Sequence, residues 1–208
     1  VLAVGLGLCL HLFIVLPFIY FIFTRKNPIE HFVHMKQALA TMLATASSLA
    51  TLPVTMRCVE EKAGVPKKIS SFVLPLGATV NMDGTALFEC VGAIFIAQVV
   101  GGVELSVAQQ ITVVGTALLA SVGAAGLPSA GLIVIFMVLE AIGIQSDATV
   151  GVIIGTMLAI DRPLDLMRGM TNIFSDSIGA VILAKSENEW PPDDVQLSES
   201  TSPPAILT

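Results

Sequence analysis

Five polar residues stand at helical spacing near the end of the chain: Asp161, Asp165, Arg168, Asn172 and Asp176, separated by four, three, four and four positions. At about 100° per residue they fall inside a stripe about 80° wide on one helix face. A charged side chain at mid-bilayer costs at least about 2.5–3.5 kcal/mol on insertion scales, so several on one face must pair, meet water or bind ions. The chemistry open to such a set is recognition, without bond making. Arg168 carries a planar, permanently charged fork suited to a carboxylate. Asp165, one turn before it, suits an ammonium. An anion binder and a cation binder on one turn suit an amino acid with an acidic side chain. The plainer reading is a structural Asp–Arg network, with an internal Asp165–Arg168 pair in the empty site.

A second group lies in the run Pro75-Leu76-Gly77-Ala78-Thr79-Val80-Asn81-Met82-Asp83-Gly84-Thr85. Two Gly and a Pro do not propagate a lipid-facing helix, and unwound backbone at membrane depth is tolerated where it is buried or lines a cavity. A kink needs Gly or Pro but has no use for a buried acid. A hard cation such as sodium takes carboxylate and carbonyl oxygens. Unwinding over Gly77–Asp83 would supply carbonyls, and Asp83 and Asp176 would supply carboxylates. Glu89 follows six residues later in an apolar run. Low dielectric favours the neutral form of a carboxyl, which makes Glu89 a candidate proton carrier, the plain alternative being a Glu capped by a neighbour. Glu140 reads as interfacial, and His11, His31 and His34 as structural, since none has metal-ligand spacing.

The elements that must hold these residues follow from hydropathy. Residues 1–23 carry no formal charge and read as one transmembrane helix, followed at once by Arg25 and Lys26. Residues 28–62 read as a re-entrant helical hairpin with a small, polar tip at 45–53, since Lys62, Lys67 and Lys68 return the chain to the same basic, cytoplasmic side. Residues 69–100 form a broken transmembrane helix. Residues 105–144 repeat the hairpin, with a tip at 121–131 that again ends in Leu-Pro. Paired Gly/Pro-interrupted segments point to a transporter's midplane site. Residues 147–185 form the last helix, and 186–208 read as a disordered cytoplasmic tail. The expected fold is an all-α polytopic membrane protein, with residues 1–185 as part of a transport domain.

Composition narrows the classes further. Only 12% of the 208 residues are charged, about half the share in soluble domains, and no Lys or Arg occurs between Lys68 and Arg162. The net charge of −6 comes largely from the tail, so a nucleic-acid partner has no basic patch to use. Cys9, Cys58 and Cys90 read as small apolar residues rather than a disulfide framework. No nucleotide-binding, hydrolase or zinc signature is present, so no residue is assigned a catalytic role. An intramembrane aspartyl protease is the rival that places acids on two segments, but Asp83 lacks the Gly-x-Gly-Asp pattern. The chain opens in an apolar run without an initiator Met and is expected to be an internal segment that does not transport unaided.

The motifs Ser47-Ser48-Leu49-Ala50-Thr51-Leu52-Pro53, Asn81-Met82-Asp83-Gly84-Thr85, Ala120-Ser121-Val122-Gly123 with Gly126-Leu127-Pro128, and Asp165…Arg168…Asn172…Asp176 together resemble the glutamate/aspartate and neutral amino acid transporters, the sodium:dicarboxylate/amino acid symporters. The resemblance covers about residues 1–185, the C-terminal half of a member. It implies that Ser47, Ser48 and Asn172 touch the substrate's α-carboxylate and Asp165 its amino group. Arg168 and Thr85 would take the side-chain carboxylate, with Leu127 to Gly131 closing over it as the outer gate. It implies one sodium among Gly77, Asn81, Asn172 and Asp176. A second would use backbone at Thr79, Ser121, Val122 and Ala124 near Met82, and a third Asn81 and Asp83. It places Glu89 where proton-coupled members keep their proton-carrying Glu and leaves potassium coupling open. It further implies a plasma-membrane homotrimer, built through scaffold helices outside this chain, whose transport domain moves like an elevator. The sequence departs from the pattern at Gly169, where many members have Thr, at Leu49, which interrupts a Ser run, and at Ala46 and Leu166, one of which is commonly Arg. These departures bear on substrate ranking and counter-ion coupling. A neutral amino acid exchanger of the same fold is the alternative, although such members usually lack the Arg168 equivalent.

Overall fold

A computed structural model describes residues 1–102, 104–122, 130–144 and 148–190. Every regular element among them is helical: α1 Leu2–Leu10, a π-helical turn His11–Val15, α2 Leu16–Thr24, α3 Pro28–Thr45, α4 Ser48–Glu61, α5 Lys67–Val80, α6 Asp83–Gly101, α7 Val107–Ser121, α8 Ala130–Ala141, α9 Ala148–Ala159 and α10 Asp161–Ser186. Leu2–Thr24 and Lys67–Val100 are each long and apolar enough to cross a membrane.

Local chemistry explains most boundaries. α3 opens with Pro28 at its first position, where a missing N–H costs nothing, and Asn27 Oδ1 accepts from the Ile29 N–H at 3.0 Å. The reversal into α4 needs only two residues. Ala46 adopts a left-handed conformation that ends α3, and Ser47 is extended and caps α4 through its side chain. The tip is therefore tighter than the expected 45–53, and Pro53 lies inside α4. α7 begins at a capping box in which Ser106 and Gln109 satisfy each other's backbone N–H.

Two further expectations change. The unwound stretch expected over Gly77–Asp83 shrinks to Asn81 and Met82. The Asn81 N–H still reaches the Gly77 carbonyl at 2.8 Å, so Gly77 belongs to the regular helix α5. The stretch expected as one helix over 147–185 is two, because α9 ends at Ala159 and α10 starts at Asp161. Pro163, in the first turn of α10, has no N–H to return to Ala159 and a ring that crowds its carbonyl. The second tip, including Leu127 and Ala124, and residues 191–208 of the tail lie outside the described residues. Residues before that are docked: the Trp190 indole N–H donates to the Ala63 carbonyl at 2.9 Å, and Glu189 pairs with Lys68.

Burial divides into two cores. The first gathers α2, α3, α4, α5 and the C-terminal half of α10 around a stack of Tyr20, His31, Phe174 and Phe32. The second gathers α1, α6, α7, α8 and α9, with Leu164 from the start of α10. α10 thus belongs to both, and the α5–α6 break lies where they meet. That junction holds the polar residues.

Candidate functional site

Arg168 is the organising side chain, only 2% exposed in the middle of α10. Its Nη2 donates to both carboxylate oxygens of Asp161 at 3.1 Å and to Asp165 Oδ1 at 2.8 Å. Its guanidinium carbon lies 4.0 Å from the centre of the Phe88 ring, within reach of a cation–π contact. Nε and Nη1 are buried without a hydrogen-bond partner among the described residues. A side chain at Gly131 would put its Cβ 2.9 Å from Nη1 and 3.3 Å from Thr85 Cγ2, so glycine lets α8 pass this closely without moving the guanidinium. Asn172 ties in the second segment. Its Oδ1 accepts from the Gly84 N–H at 2.8 Å and its Nδ2 donates to Thr85 Oγ1 at 3.1 Å. Gly84 allows this, since a Cβ there would stand 2.9 Å from the Arg168 carbonyl. Thr85, Gly131, Asp165, Arg168 and Asn172 therefore converge. The first tip joins them through Met42, four residues before the reversal, which packs into Gly169 of α10. Ser48 is buried at that tip, while the Ser47 hydroxyl is engaged with the Ala50 N–H at 3.3 Å.

A second polar cluster lies toward the other end of the stripe. A cavity of about 370 Å³ is lined by Gly77, Asn81, Ser175 and Asp176 together with apolar side chains. Asn81 Nδ2 donates to Asp176 Oδ1 at 3.0 Å and to Ser175 Oγ at 2.9 Å. A Cβ at Gly77 would approach Asp176 Cγ to 2.8 Å, so glycine is what admits the carboxylate. Oxygen atoms here suit a hard cation. Asp83 turns elsewhere and accepts from His11 Nε2 at 2.7 Å. Of the other expected cation ligands, Met82 is buried in the second core, the hydroxyls of Thr79 and Ser121 are donated to Leu76 and Leu118 of their own helices, Val122 is exposed, and Ala124 lies outside the described residues. Glu89 is wholly buried, with neither carboxyl oxygen hydrogen-bonded among the described residues.

Four contributors escaped the sequence reading. His11, expected to be structural, meets Asp83 from the π-helical turn, where the Leu16 N–H reaches back to the His11 carbonyl. Pro17, which lacks an N–H and crowds the preceding turn, is the signal for that widening. Asp161 stood in the stripe without a role and is the second acid on Arg168. Ser175 and Phe88 had no pattern to mark them.

A sequence model of the sodium:dicarboxylate symporter family matches residues 1–186. The chain belongs to this family. It is 52% identical over 185 residues to excitatory amino acid transporter 2 of Homo sapiens, covering 88% of this chain and 31% of that protein. It is 50% identical over 179 residues to excitatory amino acid transporter 3 of Mus musculus, covering 86% and 33%. It is 48% identical over 195 residues to excitatory amino acid transporter 1 of Homo sapiens, covering 93% and 35%. The chain thus spans about a third of the length of these relatives. Membership of this family implies an integral membrane protein, and it explains why a polar stripe can stand inside helices this apolar.

Proposed function

We propose that this chain forms the substrate- and ion-binding part of a sodium-coupled symporter for acidic amino acids, L-glutamate and L-aspartate. The observation that carries the reading is the pair of buried nitrogens on Arg168 that have no hydrogen-bond partner among the described residues. A buried donor without an acceptor is costly, and a substrate side-chain carboxylate, helped by Thr85, satisfies it with charge-assisted bonds. Asp165 then turns from Arg168 to the substrate ammonium. Asn172 and the Ser47–Ser48 tip meet the α-carboxylate, with Leu127 to Gly131 as the covering tip. The relatives named as excitatory amino acid transporters support this choice over a neutral substrate.

Sodium takes the oxygens at Gly77, Asn81, Asn172 and Asp176. A further ion uses Asn81 and Asp83, and another the backbone at Thr79, Ser121, Val122 and Ala124 near Met82. Coupling is a difference in affinity between states: ions favour the state in which the second hairpin closes over substrate. Glu89 carries a proton. Potassium coupling stays an expectation, read from whether internal potassium speeds sodium-driven uptake.

The two hairpins are read as re-entrant, within a domain that moves as an elevator in a plasma-membrane homotrimer. The basic loops support one cytoplasmic side. Lys185 Nζ donates to the Thr24 carbonyl at 2.7 Å, Lys26 lies over Trp190, and Trp190 meets Ala63, so the loops after α2 and α4 gather with the end of α10. The tail is placed on that side.

The test is uptake of radiolabelled L-aspartate by the full-length protein in proteoliposomes, with and without an inward sodium gradient. Sodium-driven uptake is expected, and Arg168→Thr is expected to lower it by about 30-fold or more, the scale of losing a buried charge pair. Equal uptake without sodium overturns the coupling. Retained aspartate uptake in Arg168→Thr turns the reading to a neutral exchanger.

A further inference from the structure

The polar stripe of α10 has a notch at its centre. Gly169 lies one turn after Asp165 and three residues before Asn172, on the face that carries both. A Cβ built at Gly169 would fall on the Met42 methyl, with Met42 Sδ 3.0 Å and Cγ 3.3 Å away. The space a side chain would take on α10 is thus filled from α3, across the hairpin interface. Met42 is buried. Its sulfur lies 3.8 Å from Thr51 Oγ1, a hydroxyl that donates to the Ser47 carbonyl at 2.9 Å and stands 2.9 Å from Thr45 Oγ1. One thioether therefore touches the notch at its end and the reversal through its sulfur.

We infer that Met42 is a specificity-determining residue. Its terminal methyl, seated in Gly169, forms the floor of the substrate site between Asp165 and Asn172 and sets how deep an amino acid can sit. The inference rests on the acidic amino acid reading and names the part of the site that measures substrate length. A floor made by a flexible thioether from the hairpin, rather than by α10 itself, also ties substrate depth to the seating of the Ser47–Ser48 tip. Shortening Met42 deepens the site, and a side chain on Gly169 lifts the tip away from the stripe.

The experiment compares sodium-driven uptake by the full-length protein and its Met42→Ala, Met42→Val, Gly169→Ala and Met42→Ala/Gly169→Ala variants. KM is read for L-aspartate and for L-α-aminoadipate, which is longer by two methylenes. Met42→Ala is expected to raise KM for aspartate about threefold or more and to cut discrimination against aminoadipate by about tenfold, the scale of a methylene in a pocket. Met42→Val gives the same direction if the Ala variant does not fold. Gly169→Ala alone is expected to impair uptake, and the double variant to recover it. A role in packing alone lowers protein yield and leaves the KM ratio unchanged, and that result, or a neutral Gly169→Ala, overturns the inference. Absence of sodium-driven acidic amino acid uptake in the unsubstituted protein overturns the transport reading beneath it.

Discussion

At Asp176 the carboxylate is held by one amide hydrogen of Asn81, while Ser175 takes the other. Because a carboxylate only accepts, that pairing fixes which end of the Asn81 amide is NH₂. A cation arriving at Asp176 would compete with Asn81 for the same oxygen, while Ser175 would keep hold of the other amide hydrogen. Ser175→Ala removes that hold. The sodium concentration for half-maximal uptake is expected to rise about two- to tenfold, the worth of one hydrogen bond, with KM for substrate at saturating sodium unchanged. A shift in both parameters would assign Ser175 to the substrate site instead. Glu89 calls for a different readout. With both oxygens lacking hydrogen-bond partners among the described residues, its proposed task is to carry a proton, so Glu89→Gln is expected to flatten the pH dependence of uptake while binding of aspartate persists. Pronounced pH dependence in that variant would remove the role.

Between elements, glycines beside the stripe set the distances, three of them besides Gly131. Gly77 admits Asp176 to α5, Gly84 admits the Arg168 carbonyl to α6, and Gly169 admits Met42 to α10. Gly77→Ala and Gly84→Ala should each cost about 1–3 kcal/mol as overpacking of a buried contact, read as a lower melting temperature of the purified protein. Gly151 and Gly155, which have nothing within 4 Å of a built Cβ among the described residues, serve as controls, and Gly155→Ala should be neutral or stabilising. Equal losses at all three positions would mean helix propensity, rather than contact, decides. These glycines also mark how far sequence reasoning reached. Gly77 was legible as a break in hydropathy and was assigned unwound backbone, whereas its task is to lack a side chain beside another helix. The stripe on α10 was legible because one helix repeats at 3.6 residues and the spacing is local. Asp83 meeting His11, Asn81 meeting Ser175 and Met42 meeting Gly169 were not, since each joins residues 70 to about 130 positions apart. The Ile160 break was signalled by Pro163 and overridden by the continuity of the polar spacing.

On the scale of the whole molecule, one helix serves two cores. The stack of Tyr20, His31, Phe174 and Phe32 anchors the lower half of α10, and the α6–α8 cluster anchors the upper half. Each core is apolar, while the junction holds two Arg168 nitrogens and a Glu89 carboxyl with no hydrogen-bond partner among the described residues. Binding free energy delivered at the junction therefore has somewhere to go: it can order the contact between the cores without repacking either. Outside the cores, Leu6, Leu10, Phe13 and Phe18 line an exposed face on the first helices, an apolar area suited to contact with membrane lipid. Hydrogen exchange on the full-length protein separates these layers. Sodium and aspartate together are expected to slow exchange about tenfold or more at the backbone amides of Asn81 to Ala86, where the Gly84 N–H already reaches Asn172, because ligands that favour the closed junction reduce local opening there. Amides within α3 and α8 should change far less. Uniform slowing across both cores would mean that the ligands stabilise the fold as a whole, and the junction would lose its standing as the element they bias.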